Sequence, residues 1–122
     1  LVRQYRAPLG ALTLELPAGK LDPGEDPLCC ARRELCEETG LSGGRWQKLS
    51  ALFSTPGFCD EVLHAYLAVD VSPGESRPDD DEFVRLEMLP LGEAVARALS
   101  GELNDMKTAA VLLMADRLLS SR

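Results

Sequence analysis

Apolar and polar residues divide the chain into short blocks that predict alternating strands and helices. Residues 1–6 (LVRQYR) and 11–16 (ALTLEL) read as two short strands, with Ala7-Pro8-Leu9-Gly10 between them as a turn signal. A Gly/Pro-punctuated loop, GKLDPGED, then precedes a helix over about 27–39. Asp26 suits the cap of this helix, Pro27 its first position and Gly40 the residue past its end. Leu28, Ala31 and Leu35 share an arc suited to packing on a sheet. Residues 46–54 and 62–71 read as strands, the second apolar on both faces and therefore central. The polar loop SPGESRPDDDE leads to a strand near 83–89. Two helices follow, about 91–100 and 104–120, punctuated by Gly101 and Asn104. Strands and helices in this order predict the α/β class, an α/β/α sandwich around a mixed sheet.

A chain of 122 residues is long enough for one core, so 1–122 is expected to be a single domain. No apolar run approaches the roughly 18–20 residues needed to cross a bilayer, and no membrane partner is expected. The formal charge of −7 argues against a nucleic-acid polymer as partner, because that needs a basic surface to displace counterions. An acidic protein that binds an anionic phosphate needs a cation in between, which points to a divalent metal. Cys29, Cys30, Cys36 and Cys59 form no CxxC pair, which argues against a zinc site. The first three fall in the predicted helix and are expected to be small packing residues in a reducing cytoplasm. His64, the only histidine, lies in an apolar strand and is expected to be a satisfied structural side chain. The first methionine is Met88 and the chain opens on a strand already under way, so a further N-terminal segment is expected in the native protein.

The chemistry is concentrated in residues 19–41. On a helix, Glu34, Glu37 and Glu38 sit at i, i+3 and i+4 and share an arc of roughly 100°. Three carboxylates so close repel one another by about a few tenths of a kcal/mol per pair unless a cation compensates. Taken alone they could form a solvated acidic face balanced by Arg32 and Arg33. The loop before them changes that reading, because Gly19 and Gly24 allow a turn that brings backbone against the helix. A loop carbonyl beside carboxylates is an oxygen set that Mg²⁺ prefers.

This stretch resembles the Nudix signature, G-x5-E-x7-R-E-U-x-E-E-x-G-U with U a bulky aliphatic. Gly19, Glu25, Arg33, Glu34, Leu35, Glu37, Glu38, Gly40 and Leu41 fill its nine specified positions. A chance match is on the order of one in a billion per start position at average residue usage. The resemblance implies a hydrolase that uses Mg²⁺, with Mn²⁺ as the alternative, to cleave a diphosphate. It implies Glu34 and Glu38 as principal metal carboxylates, Glu37 holding further metal or a water on it, and the carbonyl of Ala18 as an additional ligand. Arg33 is implied to orient neighbouring glutamates, with Glu25 as its partner or as an outer metal ligand.

ELPAG at 15–19, RQYR at 3–6 and PGFCDE at 56–61 together resemble the ADP-ribose pyrophosphatase subfamily. That resemblance implies hydrolysis of ADP-ribose to AMP and ribose 5-phosphate. Arg6 would contact the substrate's phosphates or adenosine and Glu61 its terminal ribose, while Phe58 could line a pocket mouth. It also implies a homodimer of the native full-length protein, in which an N-terminal β segment exchanges between protomers. Another nucleoside diphosphate sugar, or a non-catalytic nucleotide sensor, stays open as an alternative. Metal-bound glutamates are poor proton acceptors, so the general base is sought in the acidic loop 79–82. There the subfamily pattern best matches Glu82, with Asp80 as runner-up and Glu37 as the fallback on the signature helix.

Overall fold

A computed structural model describes residues 1–74 and 84–122. The strands β1 (Val2–Arg6) and β2 (Ala11–Glu15) form an antiparallel hairpin, with Val2 opposite Glu15 and Arg6 opposite Ala11. One 3-10 turn, Ala7–Leu9, joins them, and Gly10 closes it at φ 61°, a left-handed conformation that glycine adopts without a Cβ penalty. The signature helix α1 is Pro27–Thr39. The short strand β3 (Leu41–Ser42) comes next, followed by the long hairpin of β4 (Arg45–Phe53) and β5 (Val62–Val69). Then come β6 (Ser72–Pro73), β7 (Arg85–Leu86) and the helices α2 (Leu91–Leu99) and α3 (Met106–Ser120).

The sheet order is β2-β1-β7 in one group, β3-β6 in a second and β4-β5 in a third. Helix α1 packs against β5 and β7, and α3 against β4 and β5. Ala94, Leu103 and Leu112 form a buried cluster where α2 and α3 meet, and Leu14, Leu16 and Leu89 pack on it. The layered α/β arrangement expected from the sequence is therefore present. Among the described residues every strand pairing is antiparallel, and β5 pairs with β4 only, where the sequence predicts a mixed sheet and a central strand. Helices α1 and α3 both pack on β5, which accounts for its apolar residues without a second neighbouring strand.

Two elements escape the sequence pattern. The pair β3–β6 is two residues long, too short to leave a periodicity, and is held by tertiary contact such as Gly74 N–H to the Gly40 carbonyl at 2.7 Å. The strand expected near 83–89 is limited to Arg85–Leu86 among the described residues. Beyond it the chain is tied to Leu1, whose nitrogen donates to the Glu87 carbonyl at 3.0 Å and whose carbonyl accepts the Glu87 N–H at 2.8 Å. Helix α3 starts at Met106 rather than 104 because the Asp105 carboxylate accepts from the Thr108 N–H at 3.1 Å and caps it. Among the described residues no helix is long and apolar enough to cross a membrane.

Candidate active site

The orientation of the signature glutamates begins with how α1 is capped. The Asp26 carboxylate accepts from the N–H groups of Leu28 (3.0 Å) and Cys29 (3.3 Å), and Pro27 takes the first helical position. At the other end Gly40, at φ 72°, donates to the Cys36 carbonyl at 2.8 Å. The preceding loop turns at Asp22–Glu25, where Glu25 N–H reaches the Asp22 carbonyl at 3.0 Å. The Glu25 carboxylate accepts the Asp22 N–H in return at 2.9 Å.

Arg33 is the hub. Its Nε and Nη2 donate to the two oxygens of Glu25 at 2.9 and 3.0 Å, a bidentate fork. Its Nη1 reaches Glu34 at 2.8 Å and Glu37 at 3.1 Å, and Nη2 also donates to the Lys20 carbonyl at 3.1 Å. Glu25 is held at about 2, chiefly by its hydrogen bonds from Arg33 and then by the Asp22 N–H. Arg33 is pushed above its ordinary value, first by Glu25 and then, against burial, by Glu34. The guanidinium thus ties the loop to the helix and gathers two of the three helix glutamates.

The loop backbone lies against the same carboxylates. A Cβ at Gly19 would overlap the Glu34 carboxylate, so a side chain there is excluded by contact with the site. Glu38 is buried and accepts the Ala18 N–H at 3.3 Å. Glu34 and Glu38 therefore both lie against the loop backbone at Ala18 and Gly19. Among the described residues no three acidic, histidine or cysteine side chains already form a metal cage. Arg33 holds Glu34 and Glu37 while the Ala18 N–H holds Glu38. The carboxylates of Glu34, Glu37 and Glu38 offer oxygen ligands on one helix face beside the loop, which fits a hard divalent cation.

The remaining candidates are dispersed. Arg6 donates through Nε and Nη2 to the two oxygens of Glu15, both at 2.8 Å, and its side chain is half-exposed. Glu61 is exposed at the end of the β4–β5 loop, its carbonyl accepting the Ser54 N–H at 3.3 Å. Phe58 is 89% exposed beside an open depression of about 660 Å³ that Phe53, Pro56, Cys59 and Asp60 also line. Glu82 and Asp80 lie outside the described residues. The cysteines divide: Cys30 is buried and Cys36 half-buried, but Cys29 is exposed and does not pack. The Cys30 thiol lies 3.5 Å from the Lys20 carbonyl, and burial pushes its pKa up. His64 differs from the expectation of a satisfied side chain, since its Nδ1 is buried with no hydrogen-bond partner among the described residues.

Residues that sequence reasoning missed stand behind the loop. Glu15 is 2% exposed and receives Arg6, Lys107 and Thr13 together. Its carboxyl is held at about 2, mostly by Arg6, against burial, with Lys107 and Thr13 adding to the effect. The motif ELPAG marks Glu15, but nothing in the local pattern links it to Lys107.

The NUDIX domain model matches residues 1–110. An ADP-ribose pyrophosphatase of Bacillus subtilis (strain 168) is 42% identical over 111 residues, covering 89% of this chain and 60% of that protein. The methanol dehydrogenase activator of Bacillus methanolicus is 44% identical over 110 residues, covering 88% of this chain and 60% of that one. The crystal structure of an ADP compounds hydrolase superposes with a TM-score of 0.86 at 24% identity, covering 98% of this chain and 65% of that chain, a likeness of fold. The chain spans about 60% of the length of the curated relatives it matches. With nearly its whole length matched and the signature residues gathered around Arg33 and Gly19, the chain belongs to the Nudix family.

Proposed function

We propose that this chain hydrolyses the diphosphate linkage of a nucleoside diphosphate sugar, with ADP-ribose as the preferred substrate and AMP and ribose 5-phosphate as products. The observation that carries this reading is the placement of Glu34 and Glu38 against the loop backbone at Ala18 and Gly19, with Arg33 holding Glu34 and Glu37. A relative named ADP-ribose pyrophosphatase supports the choice of substrate.

In this reading Glu34 and Glu38, with Glu37 and the Ala18 carbonyl, hold Mg²⁺ or Mn²⁺. The cation would neutralise charge on the diphosphate and polarise its phosphorus–oxygen bond. Glu25 fixes Arg33, and Arg33 sets the rotamers of Glu34 and Glu37, so the carboxylates are oriented before substrate arrives. Arg6, steered by Glu15, presents its remaining guanidinium edge to a substrate phosphate. Water adds to phosphorus as the bridging oxygen departs, and the proton lost by that water goes to Glu82, or to Asp80 if the register of the loop differs. Glu61 and Phe58 take the terminal ribose and the pocket mouth. In this reading the native protein is a homodimer, on family resemblance, and works in the reducing cytoplasm that its unpaired cysteines imply.

The test is a panel of ADP-ribose, GDP-mannose, UDP-glucose and dinucleoside polyphosphates with Mg²⁺, followed by product identification. ADP-ribose should turn over fastest and yield AMP. Faster hydrolysis of GDP-mannose would overturn the substrate assignment, and binding without turnover of any of them would make the chain a sensor. Sedimentation at micromolar concentration decides the dimer.

A further inference from the structure

The peptide that meets the signature glutamates is itself held from behind by the start of α3. Glu15 and Leu16, which lead into Pro17 and Ala18, are both attached there. The Leu16 N–H donates to the Thr108 hydroxyl at 3.0 Å, and that hydroxyl donates to the Asp105 carboxylate at 2.6 Å. Lys107 reaches Glu15 with its ammonium group and Asp105 at 2.8 Å with the same group. Thr108 is fully buried and Glu15 nearly so, hence neither bond can be traded for water at no cost. Two residues further on, Ala18 donates to Glu38 and Gly19 packs on Glu34. Glu15 also grips Arg6.

We propose that Lys107 and Thr108 are positioning residues: through Glu15 and Leu16 they fix the Ala18–Gly19 peptide against Glu34 and Glu38, and with it the orientation of Arg6. This rests on the proposed reading of Glu34, Glu38 and Ala18 as the metal-holding group. The physical reason is the short lever. Ala18 and Gly19 are exposed and lie in no helix or strand, so their placement depends on the anchored residues on each side. On the downstream side the anchor is Arg33, through the Lys20 carbonyl. On the upstream side it is the Thr108 hydroxyl and the Glu15 carboxylate. Neither Lys107 nor Thr108 belongs to the signature, and both lie more than 85 residues from the peptide they place.

The experiment compares Thr108→Val and Lys107→Gln with Thr108→Ser and Lys107→Arg in the whole chain. Three readouts are taken on folded protein: Mn²⁺ affinity without substrate, ¹⁵N order parameters of Ala18 and Gly19, and turnover kinetics. Thr108→Val and Lys107→Gln should weaken Mn²⁺ binding about tenfold, in the range seen when partners of metal ligands are removed. They should lower the two order parameters from about 0.85 toward 0.6. In turnover they should lower kcat more than they raise KM. Thr108→Ser and Lys107→Arg should restore all three. Unchanged order parameters in folded Thr108→Val and Lys107→Gln would overturn the proposal. Should Thr108→Val not fold, Lys107→Gln, at a partly exposed position, decides alone. If the wild type bound no Mn²⁺, the metal reading would fall, while the order parameters would still decide whether α3 places the peptide.

Discussion

Two charge clusters border the Ala18–Gly19 peptide, and they are built with opposite sign. Around Arg33 one cation meets the carboxylates of Glu25, Glu34 and Glu37, with Glu38 close by. Around Glu15 one carboxylate meets two cations, Arg6 and Lys107, and Asp105 balances the second. In the first cluster one guanidinium is shared among three carboxylates, and the cluster stays half-open to solvent at Glu37. In the second the carboxylate is enclosed, with Glu15 at 2% exposure, while the Arg6 side chain stays half-exposed. Carboxylates gathered on one helix face at an accessible place are what a group of the other sign can use, whereas a buried carboxylate met by two cations serves placement. On the proposed function the first cluster would hold the metal, and in the second Glu15 would give support while Arg6 meets the substrate.

The largest effect should come from removing charge in the open cluster. Glu38→Gln or Glu34→Gln keeps the side-chain shape and deletes an anionic donor, so turnover should fall by several orders of magnitude while circular dichroism stays that of the wild type. A Glu38→Gln protein with near-normal turnover and metal affinity would break the contrast. Next in size is the base. Glu82→Gln should cost about 10²–10⁴-fold in kcat with little change in KM, and Asp80→Asn much less. The reverse order would move the assignment to Asp80, and no effect from either would move it to Glu37.

Arg33→Lys comes third. A lysine cannot make the fork to Glu25 and bridge Glu34 to Glu37 at once, so divalent-cation affinity or kcat should drop about 10–100-fold. Calorimetric titration with Mn²⁺ and steady-state kinetics would show it.

The closed cluster should instead speak through stability. Glu15 is depressed from 4.5 to about 2 in the folded chain, so its ionised form stabilises the fold fully above pH 4.5. That contribution is lost as pH falls toward about 2. The stability advantage of wild type over Glu15→Gln should therefore shrink over that window by at most on the order of 1 kcal/mol per pH unit. Urea denaturation at pH 7, 4 and 3 checks this, and a pH-independent difference would deny the cluster its electrostatic role. Smallest of all, Phe58→Ala removes an almost fully exposed ring and should leave stability within about 0.5 kcal/mol of wild type. A rise in KM without a change in kcat would link that ring to the substrate.

Much of this was legible in the chain itself, for reasons that are local. Asp26, Pro27 and Gly40 delimit α1 because capping and left-handed closure act within a few residues. The i, i+3, i+4 spacing puts Glu34, Glu37 and Glu38 on one arc, and the glycines of 19–24 announce the turn beside them. Hydrophobic blocks likewise located both hairpins and the last two helices to within one or two residues. What lay beyond reach depends on long-range approach. Two-residue strands such as β3 and β6 carry no period, so only their meeting in space defines them. Cys29 and Cys30 are neighbours in sequence, yet one is exposed and the other buried, because only Cys30 faces the Gly19–Lys20 loop.

By itself, then, the sequence determined the family, the signature helix and the residues that carry charge to the site, since those follow from spacing along one segment. The tertiary structure alone decided which cation serves which carboxylate. Arg6 turns to Glu15 rather than standing free, and Lys107 and Thr108 reach from the far end of the chain to hold the peptide opposite Glu38. Such pairings depend on the energy of burying an ionised group with its partners, and the fold sets those partners across about ninety residues of intervening chain.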